Sequence, residues 1–193
     1  MSVVVGIDPS LTCTGVAMVS WHSGTDIPGP NWQTWRARSQ ALPQDFPDAE
    51  VLAATRRRLR IVIRETLALI PARVDLTVIE GPSLGSKGGK SDERAALRWM
   101  LVDQLLARGP VVVIGPKKRA LLGADDGNAS KAKVRSAIRA AFPAVHVADD
   151  NVADAVALAA AGAHRLGCSL VEYTPKQLRA HATVAWPQET AAA

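Results

Sequence analysis

Five apolar residues, Val3-Val4-Val5-Gly6-Ile7, open the chain and end in a carboxylate, Asp8, with Pro9 directly behind it. A short apolar run without alternation predicts a strand buried on both faces, here over 2–8. Further strands are expected over 15–21 and 32–38, separated by a loop over 22–31 rich in Gly, Pro, Ser and Asp. The three form an antiparallel meander. A long helix is predicted over 48–70, with Asp48 as N-cap and Pro71 as its stop. Val51, Leu52, Leu59, Val62, Ile63, Leu67 and Ile70 share one face. Arg56, Arg57, Arg58, Arg60 and Arg64 lie on the other, read as solvated.

A fourth strand over 75–80 again ends in an acid, Glu80, and a glycine- and lysine-rich loop follows over 81–90. Ser91 is the expected N-cap of a helix over 92–108, with Asp92 and Glu93 suiting the positive end of its dipole. The segment 110–115, apolar throughout, is expected to be a central fifth strand. No element is assigned to 116–130, which mixes basic residues with glycines and acids. Helices are predicted over 131–142 and 151–166, and a weaker helical stretch follows Pro175. The last five residues, 189–193, are expected to be mobile. The fold class is therefore α/β.

A chain of 193 residues with 48% apolar content suits one domain with a sizeable core. The reading assigns 1–168 to that domain and 169–193 to a partly flexible tail. A net charge of +5 leans toward a polyanionic partner. Cys13 and Cys168 form no CxxC or Cys/His cluster, which argues against a structural zinc site. No apolar run is long enough to span a bilayer, and Met1 leads straight into a strand. A cytoplasmic protein with no membrane partner is the expectation.

The chemistry lies in the acids. Asp8 ends the first strand, Glu80 ends the fourth, and Asp154 sits one turn inside a helix otherwise made of Ala and Val. Carboxylates gathered at the ends of buried strands repel one another and are poorly solvated, and divalent cations relieve both problems. All-oxygen ligation points to Mg²⁺, with Mn²⁺ as substitute. Two such ions about 3.5–4 Å apart activate water and stabilise the leaving oxygen in phosphodiester hydrolysis. Asn151 and Asp150 lie three and four residues before Asp154, each on its helix face. Each acid also has a plainer role open to it. Asp8 could form a turn before Pro9, Glu80 could be a strand exit, Asp150 a helix cap, and Asp154 the partner of an arginine.

Gly6-Ile7-Asp8-Pro9-Ser10 with Thr14-Gly15, then Val78-Ile79-Glu80, then Ala153-Asp154-Ala155-Val156-Ala157-Leu158-Ala159, resemble the three signatures of the RuvC family of Holliday junction resolvases. The resemblance runs over about residues 2–166. It implies an RNase H-like (retroviral-integrase-like) fold, a five-stranded mixed sheet (three antiparallel strands, then two parallel) with helices on both faces, and a homodimer that cuts four-way or other branched DNA. It implies a metal site of Asp8, Glu80 and Asp154 with two ions, and a fourth corner at Asn151 or Asp150. Lys118 and Lys131 match the family's lysines near the scissile phosphate, flanked by Lys117 and Arg119 as DNA contacts. Where relatives often carry a stacking aromatic, this chain has Ser83 and Leu84, the latter an apolar wedge at most, with Lys87 and Lys90, which suit phosphate contacts by a basic loop. Trp99 and Met100, with Leu97, Leu101, Leu105 and Leu106, form an apolar surface on the next helix, where the family places part of its dimer interface.

Two other classes remain open. The first motif also resembles the phosphate loop of the actin and sugar-kinase superfamily. Those proteins need two such domains, and a second phosphate loop is absent. A non-catalytic DNA-binding module on the same fold is the third reading, although idle carboxylates would repel phosphate.

Overall fold

In the computed structural model, which describes residues 1–22, 29–43, 45–83 and 90–188, β1 (Ser2–Asp8) is the middle strand of five. It pairs antiparallel with β2 (Cys13–Trp21) on one side and parallel with β4 (Leu76–Glu80) on the other. β3 (Asn31–Arg38) extends the antiparallel side, and β5 (Val111–Ile114) pairs parallel with β4. The order is β3-β2-β1-β4-β5.

Helices cover both faces, which is why β1 is apolar without alternation. Val3, Val5 and Ile7 pack with Leu59 and Val62 of α1 (Asp48–Leu67) and with Leu97, Leu101 and Leu105 of α2 (Ser91–Leu106). Val4 faces the other way, into a core shared with α3 (Pro116–Ala124), α4 (Lys131–Ala141) and α5 (Asp150–Arg165). Helix α5 is buried continuously from Val152 to Ala163. α6 (Pro175–Ala182) packs on α3, with Gln177 and His181 buried, so part of the expected tail is structured; 189–193 lie outside the described residues.

Two glycines set how closely α5 approaches the sheet. A Cβ at Gly6 would collide with the Ala155 carbonyl oxygen and the Ala159 nitrogen. One at Gly15 would collide with the backbone of Asn151 and with the Val152 nitrogen. The helix therefore rests directly on the backbone of β1 and β2, which Ala-rich 153–163 permits on its side.

Several local expectations are corrected. β5 is an edge strand, with Val113 51% exposed. Its apolar composition reports that helices pack on its faces and says nothing about its lateral neighbours. Arg58 is buried on α1, its guanidinium donating to Ser39 Oγ (2.9 Å) and to the Leu11 carbonyl (3.1 Å). It ties down the β1–β2 turn, while Arg56, Arg57, Arg60 and Arg64 are exposed as expected. Leu52, assigned to the apolar face, is 81% exposed. The N-caps fall one residue early, at Pro47 for α1 and at Lys90, in a left-handed conformation (φ 65°), for α2. Helix α3 was not expected at all. Pro116 starts it, where a missing N–H is harmless, and Asp125 ends it at φ 54°.

Candidate active site

β1 and β4 run parallel, so Asp8 and Glu80 leave the sheet at the same edge, one step beyond the Ile7–Ile79 pair. The close seat of α5 brings Asp154 to that edge. Asp8 is 8% exposed and Asp154 1%. Three side chains far apart in sequence thus share one largely desolvated place.

Local anchors hold it. The Thr14 hydroxyl accepts from the Ser10 N–H (3.0 Å) and donates to the Ser10 carbonyl (2.8 Å), closing the turn after Asp8. Asn151 Nδ2 donates to the Cys13 carbonyl (2.6 Å), pinning the first turn of α5 to β2. Asp149 caps that helix by accepting from the Val152 N–H (3.0 Å), and its other oxygen meets Arg36 (3.2 Å). Asp150 pairs with Arg135 (3.1 Å). The two residues expected at a fourth corner therefore both have structural partners.

At the centre stands a residue that sequence reasoning assigned to DNA. Arg119 is 7% exposed; its Nε donates to Glu80 Oε2 at 2.6 Å and its Nη1 lies 2.7 Å from Asp154 Oδ1. The second contact is close enough for an ion pair but lacks hydrogen-bond alignment, and Asp154 Oδ2 has no hydrogen-bond partner. The arginine partner for Asp154, one of the plain readings of that residue, is present. Arg119 reaches the acids because α3 turns it inward. Without α3, nothing in the sequence separates Arg119 from its neighbours Lys117 and Lys118. Lys117 is exposed, and the Lys118 amine donates to the Thr183 carbonyl (3.0 Å), away from the trio.

The electrostatics follow from this crowding. Burial, then the charges of Glu80 and Asp154, push the Asp8 carboxyl well above its ordinary range, against the pull of Arg119 and Lys131. Burial raises Asp154 to about 7, opposed by Arg119 and Lys131 and reinforced by Glu80 and Asp150. Desolvation works against the Arg119 charge, but its hydrogen bond to Glu80 and the three acids outweigh it and hold the guanidinium protonated. Lys131, exposed at the start of α4, is thus within electrostatic reach of both Asp8 and Asp154.

Beside Glu80 opens a cleft of about 280 Å³ lined by Pro9, Ser83, Ser91, Arg94 and Arg98 among others. Arg94 and Arg98 were not singled out from the sequence. Their four-residue spacing on the helix after the basic loop is the signal that could have found them. Ser83 and Lys90 are exposed at the two ends of that loop, whereas Leu84 and Lys87 lie outside the described residues.

Among the described residues, no group of three His, Cys, Asp or Glu side chains is gathered tightly enough to hold a metal ion. Arg119 lies between two of the three carboxylates. The donor chemistry nonetheless fits a hard cation. Every donor is oxygen, and a buried, unpartnered carboxylate oxygen such as Asp154 Oδ2 is costly unless something positive meets it.

This sheet order, with helices on both faces, is that of the RNase H-like fold. Among solved structures, the chain is similar to RuvC of Thermus thermophilus, at 21% identity over 86% of this chain and 97% of that one, with a TM-score of 0.55. It is equally similar to T. thermophilus RuvC in complex with Holliday junction substrate, at 20% identity over 87% and 98%, with a TM-score of 0.56. No protein-family model and no curated protein matches the sequence.

Proposed function

We propose that this chain is a metal-dependent, structure-selective DNA endonuclease that hydrolyses phosphodiesters in four-way or other branched DNA. The observation that carries the reading is the convergence of Asp8, Glu80 and Asp154 from two parallel strand ends and one helix. That convergence occurs on a fold shared with RuvC, one structure of which holds a Holliday junction substrate.

Asp8, Glu80 and Asp154 would hold Mg²⁺, or Mn²⁺ in its place; a pair of ions is what the sequence resemblance implies. Bound there, a divalent ion lowers the pKa of water and offsets charge on the phosphate. The chain's own residues supply the rest. Ionisation of Asp8 and Asp154 accompanies loading, because a ligand must be deprotonated. Lys131 offsets charge developing on the phosphate. Arg94 and Arg98 beside Glu80, with Ser83, Lys90 and Lys117, grip backbone phosphates, as would Lys87, while Leu84 would serve as an apolar wedge against the bases. Lys118 joins them once it releases the Thr183 carbonyl.

The catalytic unit in this reading is 1–168. Its place of action is the cytoplasm of a bacterial cell or phage-infected host; no helix among the described residues is long and apolar enough to cross a membrane. A homodimer would bring two sites to two symmetric strands. The surface suited to it is the groove of about 560 Å³ between α1 and α2, lined by Ile63, Leu67, Trp99 and Met100, where Trp99 is 65% exposed.

The test is incubation of the protein with synthetic four-way, three-way and linear duplex DNA in Mg²⁺, Mn²⁺ or EDTA. Paired symmetric nicks in the four-way junction, lost in EDTA, are expected. The engagement of two carboxylates by Arg119 favours one rival, a non-catalytic branched-DNA-binding module. Tight junction binding with no cutting in either metal would select it.

A further inference from the structure

Fully ionised, Asp8, Glu80 and Asp154 carry three negative charges in a place almost closed to water. Arg119 returns one positive charge, through contacts of 2.6 Å to Glu80 and 2.7 Å to Asp154. Two negative charges remain, the charge of one divalent ion. The free oxygens are distributed in the same way. Arg119 takes one oxygen of Glu80 and one of Asp154, while Asp154 Oδ2 is buried without a partner. No hydrogen bond to the Asp8 side chain is found among the described residues. A second divalent ion would leave the trio and Arg119 with a net charge of +2 in a desolvated site, which is unfavourable without substrate.

An arginine cannot step aside by losing its proton. Arg119 is also held by its backbone: Pro116 and the left-handed Asp125 bound a short helix whose Ala120 and Leu122 are in the core. It is a built part of the site and not a surface side chain that has folded in.

We propose that Arg119 is the resident second cation of this carboxylate site, so that the free protein takes a single divalent ion among Asp8, Glu80 and Asp154. This rests on the metal-dependent reading above and refines its number of ions. Arg119 acts as a positioning residue: it fixes the Glu80 and Asp154 carboxylates and keeps a second ion out until the arginine is removed or drawn to a phosphate.

The experiment is calorimetric titration of the full chain, without DNA, with Mn²⁺, alongside Arg119→Gln and Arg119→Lys, each first checked for folding by circular dichroism. The wild type is expected to bind one ion. Arg119→Gln is expected to bind two, or to bind the first about tenfold or more tightly, and to show a larger Mn²⁺-induced rise in melting temperature. Arg119→Lys keeps the charge and should stay at one ion. It also carries the test if Arg119→Gln does not fold, since wild-type and Lys proteins that both bind two ions would overturn the proposal. Two ions in the wild type, or an Arg119→Gln titration identical to it, would do the same. Binding of no ion by any of the proteins would overturn the metal-dependent reading itself, an outcome distinct from a wrong stoichiometry.

Discussion

Raising the pH of the metal-free protein from about 5 to about 8 should weaken its fold, because the change forces a charge onto Asp154. That carboxyl has an ordinary pKa of 3.8 and is raised to about 7 by burial, more than Arg119 and Lys131 can offset. Between those two values the folded chain holds a proton that the unfolded chain has released. Stability from this group is therefore complete below about pH 4 and is lost as pH rises through about 7. The slope is about 1.4 kcal/mol per pH unit within the window, so the step from pH 5 to 7 removes roughly 2–3 kcal/mol. At roughly 2–4 °C per kcal/mol for a chain of this size, the melting temperature should fall by about 4–12 °C. Asp8 is shifted in the same direction for the same reason and adds to the slope. His181 opposes it. Burial lowers its pKa below 6.5, so its contribution is present above that value and is lost as pH falls through the lowered one. Thermal unfolding in EDTA at several pH values, run on wild type and Asp154→Asn in parallel, separates the two. The variant removes the Asp154 proton and the push of its charge on Asp8, so its profile should be flatter, and at about pH 8 it should be the more stable protein. Saturating Mn²⁺ should flatten the wild-type profile by compensating the ionised acids. Equal slopes for wild type and variant in EDTA would refute the account of Asp154 as a buried, under-compensated carboxylate.

Three other outcomes test separate parts of the structure. Gly15→Ala sets a methyl group against the backbone of Asn151 and should destabilise the protein by about 1–3 kcal/mol or more, read as a fall in melting temperature; an unchanged value would mean α5 does not seat as closely as described. Asp8→Asn should abolish junction cutting in Mg²⁺ while gel-shift binding of the junction survives, and wild-type cutting rates would remove Asp8 from the chemistry. Trp99→Glu places a charge on the exposed apolar groove of α2, and light scattering should show a dimer becoming a monomer with little change in melting temperature. A wild type that is monomeric at micromolar concentration would dispose of that interface.

Much of this protein is written locally. The apolar run 3–7 requires a strand covered on both faces, and the Ala-rich stretch 153–163 requires a helix packed closely on something flat. Apolar strands that end abruptly in Asp8 and Glu80 announce acids at a sheet edge, because nothing in strand formation calls for a charge there. These features were legible because periodicity and side-chain size are properties of neighbouring residues. The tertiary structure decided what depends on partners distant in the chain. β5 looks central by composition and lies at the edge, since burial of its faces does not reveal which strand flanks it. Arg58 and Arg119 look like surface cations, yet both are buried, because each finds acceptors that only the folded chain assembles: the Leu11 carbonyl and Ser39 for one, Glu80 and Asp154 for the other. Asn151 looks like a ligand by its spacing from Asp154, and only the fold shows that its amide nitrogen also grips the Cys13 carbonyl, 138 residues away. The three acids could be read from their own strands and helix. The cation standing among them could not, because a charge is admitted to a protein interior only by the partners waiting there.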